Sequence, residues 1–167
     1  VYHLAAQSAG EPSYDEPKYD ILTNSYGTYL ISKFCRDNNI KRLIYTSTVA
    51  VYGNFNGGMI NEETKINPDS IYGVSKYSGE LFIRQMLKET ETKYTIFRVF
   101  NTYGPGENLN FQKKGMVSIY IGYIWKKEPI SIKGSLNRYR DLTFIDDNID
   151  ALISCYDKSI SYGETYN

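Results

Sequence analysis

The sequence predicts an α/β protein built on a doubly wound parallel sheet. Three observations carry this. Short runs rich in β-branched and aromatic residues recur at 1–6, 42–46 and 94–101. Stretches of helical period separate them, long enough to serve as crossovers between parallel strands. Polar residues cluster just past the runs, where open α/β sheets place their ligands.

The elements follow in order. VYHLAA reads as a buried strand, and a loop with Gly10 and Pro12 comes next. Residues 18–38 show a helical period that makes Ile21, Leu22, Tyr26, Tyr29, Leu30 and Phe34 the expected buried face. IKRLIYTSTVAVYG gives a strand over 42–46 and then a loop. A polar loop with Gly57 and Gly58 leads to Asn67-Pro68-Asp69-Ser70, a helix opening with Ser and Asp as cap candidates and Pro near its start. That helix is expected to reach about Thr90, burying Leu81, Ile83 or Phe82, and Leu87. YTIFRVFN is the next strand, ended by TYGPG. A helix over 116–126, a short strand in EPISIKG, a short extended piece in RDLTF and an Asp-capped helix complete the pattern. The terminal GETYN reads as a strand just beginning, and the opening Val1 falls in mid-strand. A segment of a longer protein is therefore expected.

The bulk numbers exclude several classes. With 41% hydrophobic and 23% charged residues, the 167-residue chain suits one globular domain, or most of one plus part of another. Its 19 basic and 19 acidic residues are interleaved, so no basic stripe argues for nucleic acid or a membrane surface. No apolar run approaches the ~20 residues of a membrane span, and no signal peptide is visible. Cys35 and Cys155 are too few for a disulfide framework, and no metal-type Cys/His cluster exists. Cytoplasm is the expected compartment and no metal is expected. His3, the single histidine, reads as structural.

The chemistry concentrates in NPDSIYGVSKYSGE. Tyr72 and Lys76 stand four apart and so share a helix face. A nearby ammonium favours the phenolate, so the tyrosine pKa should fall and allow proton exchange with a hydroxyl. The plainer reading is a surface pair, and 17 tyrosines make such spacings common. Thr46, Ser47 and Thr48 place hydroxyls at the end of the second strand, a ligand donor set or an ordinary Ser/Thr turn. Arg98 lies inside a strand, whereas Asn101 lies at its end and suits a ligand. Arg140, before an apolar run, suits a diphosphate or a surface pair with Asp141.

HLAA, TSTVAVYG, YGVSK, RVFNTYGPG and RDLTFIDD, in this order and spacing, resemble the extended short-chain dehydrogenase/reductase family. The nucleotide-sugar epimerases and dehydratases, such as UDP-glucose 4-epimerase, are its similar members. The resemblance covers nearly the whole chain and is specific to the superfamily more than to a substrate. It implies a Rossmann-like sheet lacking its N-terminal glycine-rich half, plus part of a small substrate-binding domain. The implied boundaries are 1–107 for the dinucleotide-binding part, 108–138 for the substrate part, and 139–167 for the return.

By the same resemblance, Thr48 is the catalytic Ser/Thr, Tyr72 the general base, and Lys76 the lysine on the nicotinamide ribose. Ala5, Ala6 and Gln7 line the cofactor, NAD, with Asn24, Thr46, Ser47 and Tyr103 close to it. Asn101 and Arg140 contact a nucleotide-diphosphate sugar, Arg140 at the diphosphate. The implied reaction is epimerisation, at sugar carbon 4, through a transient 4-keto sugar. The alternatives are another nucleotide-sugar epimerase, a keto-sugar reductase, or a non-catalytic NAD(P)-binding scaffold. The two long helices should pair with a second subunit. Two departures matter. The Gly-rich phosphate loop and the acidic ribose ligand are absent, so these 167 residues alone are expected to bind NAD poorly and to be inactive. Val49 and Ala50 stand where the dehydratases carry Asp-Glu, which disfavours dehydration.

Overall fold

The computed structural model describes residues 1–55, 58–110, 115–132, 134–137 and 139–167. Gly57 of the predicted loop, Lys133 of the predicted strand, and residues 111–114 and 138 of the predicted substrate part lie outside these.

The apolar run of the second strand dictates the architecture. In β2 (Arg42–Thr48), Leu43, Ile44 and Tyr45 are all fully buried, as a strand covered on both faces requires. β2 pairs in parallel with β1 (Tyr2–His3) on one side and β3 (Lys93–Val99) on the other, and β3 pairs with β6 (Thr165–Tyr166). The β2–β3 register runs from Arg42 opposite Lys93 to Thr48 opposite Val99. Alternate residues face opposite sides. Leu43 and Tyr45 join Cys35 of α3 (Gly27–Asp37), Ile83 and Leu87 of α4 (Ile71–Leu87) and Ile96 of β3 in one core cluster. Each fully buried aliphatic side chain there stabilises the fold by about 1.5–3 kcal/mol. On the other face Arg42 donates to the carbonyls of Cys155 and Tyr156, just past α6 (Ile145–Ser154). The helices α3 and α4 therefore cover one face, and the segment just past α6 lies on the other. A second, two-stranded parallel sheet pairs β4 (Asn101–Tyr103) with β5 (Leu142–Phe144), and α5 (Met116–Lys126) spans the predicted helix.

Several expectations need correction. The predicted buried strand at 1–6 shrinks to two residues at an edge, leaving Tyr2 and Leu4 exposed while His3 is buried. The loop near Gly10 is helical, as α1 (Gly10–Asp15), followed by α2 (Pro17–Asp20), a π-helical turn (Ile21–Tyr26) and α3. The buried face of this helical run is the polar one. Asp20, Asn24, Thr28 and Ser32 are fully buried, while Ile21, Leu22, Tyr26, Leu30 and Phe34 lie 44–52% exposed. Small hydroxyls explain the inversion. Thr28 and Ser32 return their protons to the Asn24 and Thr28 carbonyls, which satisfies them inside the helix and lets α3 pack closely on Gly79 of α4.

On α4, Ile83 and Leu87 are buried as expected, but Leu81 and Phe82 are exposed. Residues 128–132 form no strand, because no described strand lies beside them to take their backbone hydrogen bonds. Asp146 and Asp147 occupy the first turn of α6 rather than its cap, where their charge complements the helix N-terminus.

Candidate active site

The end of β2 and the start of α4 are locked together by local chemistry. Thr48 is extended, and its hydroxyl accepts from the Ala50 amide at 3.2 Å, capping a 3-10 turn over Val49–Tyr52. The chain then reverses at Gly53, where φ is +67° and a Cβ would stand 2.0 Å from the Asn67 carbonyl oxygen. Only glycine fits both conditions. Ser70 caps α4 by accepting from the Gly73 amide at 3.1 Å, and Ser13 accepts from the Tyr72 amide at 3.1 Å. Gly73 lies against the Ala50 carbonyl, which a Cβ would approach to 2.5 Å. The first turn of α4 therefore rests on the 3-10 turn, and Tyr72 is set beside Thr48.

The Thr48 hydroxyl lies beside the Tyr72 phenol, near enough to draw its pKa down. Both line a cavity of about 910 Å³ together with Val49, Ala50, Asn101 and Met116. It opens beyond the carboxyl ends of β2 and β3, the expected ligand edge of such a sheet. A substrate hydroxyl placed there meets one group that donates and one that can take a proton.

The electrostatics differ from the sequence expectation in one respect. Tyr72 is raised above the ordinary phenol range rather than lowered. Burial pushes it up, the Thr48 hydroxyl draws it down, and the Asp20 carboxylate adds to the rise. Lys76 shares the helix face but is buried, and its ammonium sits 4.4 Å over the Tyr45 ring. Burial brings Lys76 down to about 8, against Asp20 and Glu80, which hold it up. His3 stacks on the same Tyr45 ring at 5.3 Å between centroids, its Nε2 lies 2.9 Å from the Thr28 hydroxyl, and burial with Lys76 lowers it to about 4. His3 is thus a neutral packing residue, as read.

The remaining predicted residues divide. Asn24 clamps the loop after β1, accepting from the Gln7 amide at 2.9 Å and donating to the Gln7 carbonyl and to the Ser75 hydroxyl at 3.1 Å each. Ala5 is exposed, Ala6 half-buried, and Gln7 carries a buried Oε1 with no partner among the described residues. Of the hydroxyl triplet, all of it inside β2, only Thr48 lines the cavity. Ser47 turns inward and donates to Glu80 at 2.6 Å, and Thr46 is half-buried. Asn101 lines the cavity and donates to the Asp141 carbonyl at 3.0 Å. Tyr103 packs against Phe144, and Arg140 is exposed and donates to the Tyr139 carbonyl. Neither is among the described lining residues.

Two groups escaped the sequence reading. Glu80, fully buried, takes two bonds from Arg98 at 3.1 and 2.8 Å, and Arg98 donates onward to the Tyr52 hydroxyl at 2.8 Å. The signal was present, since Tyr72, Lys76 and Glu80 recur every four residues on one helix face. Asp20, fully buried beneath Ser75, had no comparable signal in its neighbours.

The model of the NAD dependent epimerase/dehydratase family matches residues 1–167. The UDP-glucose 4-epimerase of Mycolicibacterium smegmatis is 27% identical over 154 residues, covering 92% of this chain and 49% of that protein. The structure of a Thermotoga maritima UDP-glucose 4-epimerase with UDP-glucose superimposes with a TM-score of 0.92 at 31% identity, covering 100% of this chain and 54% of that one. A Bacillus cereus UDP-glucuronic acid 4-epimerase, solved with UDP-glucuronic acid and NAD, gives 0.88 at 28% identity, covering 99% of this chain and 52% of that one. The chain spans about half the length of the curated relatives it matches. A parallel sheet covered on both faces, a Thr48–Tyr72 pair at its ligand edge with Lys76 one turn on, and a family match along every residue lead to one conclusion: the chain belongs to the NAD dependent epimerase/dehydratase family.

Proposed function

We propose that the complete protein is an NAD-dependent epimerase that inverts the carbon-4 hydroxyl of a nucleotide-diphosphate sugar. The observation that carries this is the pairing of Thr48 and Tyr72 on the wall of one cavity, at the carboxyl end of β2. Tyr72 takes the hydroxyl proton and returns it, and Thr48 donates to the same oxygen and holds the phenol in place. Val49 and Ala50 also line the cavity and offer no acid or base, which favours epimerisation over water elimination.

The residues present fit NAD. The buried Gln7 Oε1, unpartnered among the described residues, is an acceptor for a ribose hydroxyl or a carboxamide, on a loop pinned by Asn24. Ala5, Ala6, Lys76 and Tyr103 complete that side, with Thr46 and Ser47 in the strand behind it. When bound, NAD supplies the hydride acceptor and donor. Its oxidised ring carries a positive charge, which favours the phenolate of Tyr72 against burial. The 167 residues contain no Gly-rich phosphate loop, and on their own should retain NAD weakly. Residues 108–138 belong to the sugar-nucleotide side, residues 1–107 and 139–167 to the cofactor side, and Asn101 and Arg140 contact the substrate.

The exposed apolar residues of the helix pair, with an apolar groove of about 700 Å³ lined by Ile21, Val74 and Phe82, fit a second copy of the chain in a cytoplasmic homodimer. Among the described residues no helix is long and apolar enough to cross a membrane. Light scattering should give twice the protomer mass, and a monomer would refute the pairing.

The function is tested by denaturing the complete protein and assaying the supernatant for NAD, then incubating the native protein with UDP-glucose. Released NAD and the appearance of UDP-galactose are expected. Released NAD without interconversion of UDP-glucose or any other UDP-sugar would refute the epimerase reading.

A further inference from the structure

The proton exchange above uses neither fully buried carboxylate, and of the two Glu80 is paired with Arg98 while Asp20 is not. Asp20, the last residue of α2, is fully buried and precedes the π-helical turn. Such turns cluster at functional sites. Its Oδ2 takes the Ser75 proton, and its Oδ1 is buried with no hydrogen-bond partner among the described residues. Its carboxylate enters none of the ion pairs within 4.0 Å among them. An ionised carboxylate buried in this way is costly unless a cation lies near.

Burial pushes Asp20 above the usual carboxylate range, its polar neighbours Ser75 and Asn24 draw it back, and the cation that acts on it is Lys76. Ser75, which holds Asp20, sits between Tyr72 and Lys76 in the same turn of α4. The groups facing Lys76 are few. They are Asp20 from α2, Glu80 from its own helix, the Tyr45 ring from β2 and, behind that ring, His3 from β1. Glu80 is already neutralised by Arg98 through two bonds. Tyr72 faces Thr48 and Tyr45 from β2 and Asp20 from α2.

We propose that Asp20 is a positioning residue for the Tyr72–Lys76 pair. Its carboxylate is the uncompensated negative charge that keeps Lys76 an ammonium, and through Ser75 and Asn24 it ties α4 to the Gln7 loop. Its catalytic consequence rests on the epimerase reading, whereas its electrostatic consequence does not. Asp20 raises both Lys76 and Tyr72, so removing its charge lowers both.

The test is Asp20→Asn in the complete protein, with two readouts. First, the Lys76 titration is followed through the imidazole NMR shift of His3, assigned by its loss in His3→Gln. Its midpoint should move to lower pH by about half a unit or more. Second, both limbs of the pH–rate profile should move to lower pH, which a merely structural loss would not cause. Unmoved midpoint and unmoved limbs would overturn the proposal. If no UDP-sugar is turned over, the epimerase reading fails and the NMR midpoint alone decides. Should Asp20→Asn not fold, Asp20→Ser, which keeps an oxygen for Ser75, carries the same midpoint measurement.

Discussion

Replacing Glu80 by alanine should cost the fold about 3–5 kcal/mol, the cost of breaking a buried ion pair by removing one partner. The structure gives the reason. Glu80 is fully buried and accepts three hydrogen bonds, from Ser47 at 2.6 Å and from Arg98 at 3.1 and 2.8 Å. Without it the buried Arg98 guanidinium keeps only the Tyr52 hydroxyl, and Ser47 loses its acceptor. Leaving that donor unmet adds roughly 1 kcal/mol. Urea unfolding followed by circular dichroism reads the loss as a lower midpoint at unchanged slope. A double variant, Glu80→Leu with Arg98→Met, removes both charges and should recover most of the loss. A single-variant loss below about 1 kcal/mol, or a double variant in which the two losses simply add, would refute the reasoning. Ser47 adjoins Thr48 and Glu80 lies on the helix of Tyr72, so the same pair braces Thr48 and Tyr72.

Three further outcomes follow from the same geometry. His3 is lowered from 6.5 to about 4, so the stability from its neutral ring is full above pH 6.5 and is lost as pH falls toward 4, by about 3 kcal/mol in all. Denaturation of His3→Gln across that window should show a flatter slope, and an unchanged slope would contradict the assignment. Lys76 is lowered from 10.5 to about 8, so the unfolded chain holds its proton longer and stability should rise with pH between those values. Lys76→Met should abolish that rise, and its persistence would contradict the burial of the ammonium. Gly53→Ala should destabilise by about 2 kcal/mol or more, since it meets both a positive φ and the Asn67 carbonyl. A thermal melt within a degree of the parent would refute that turn.

Periodicity made some elements legible and misled on others. β2 stood out by its Leu43-Ile44-Tyr45 run, and β3 by its β-branched and aromatic residues. α4 was readable from its Ser70 cap, and Tyr72 and Lys76 from their spacing on it. The face of α3 was misread because burial was equated with apolar side chains. Thr28 and Ser32 satisfy their hydroxyls within the helix, so they pack inside and the apolar stripe turns out. Arg98, inside the strand YTIFRVF, gave no sign that its partner was Glu80, eighteen residues earlier in the chain. The rise of Tyr72 was equally hidden. Helix spacing shows that a lysine shares its face, but not that the ammonium lies over the Tyr45 ring.

The measurement that tests the central claim most directly is turnover of UDP-glucose to UDP-galactose by the complete protein and by its Tyr72→Phe variant, each checked for bound NAD. Loss of the phenolic proton carrier should reduce turnover by about 10²–10⁴-fold while NAD stays bound. A variant that holds NAD and turns over within about threefold of the parent would contradict the role of Tyr72 as the group that moves the proton.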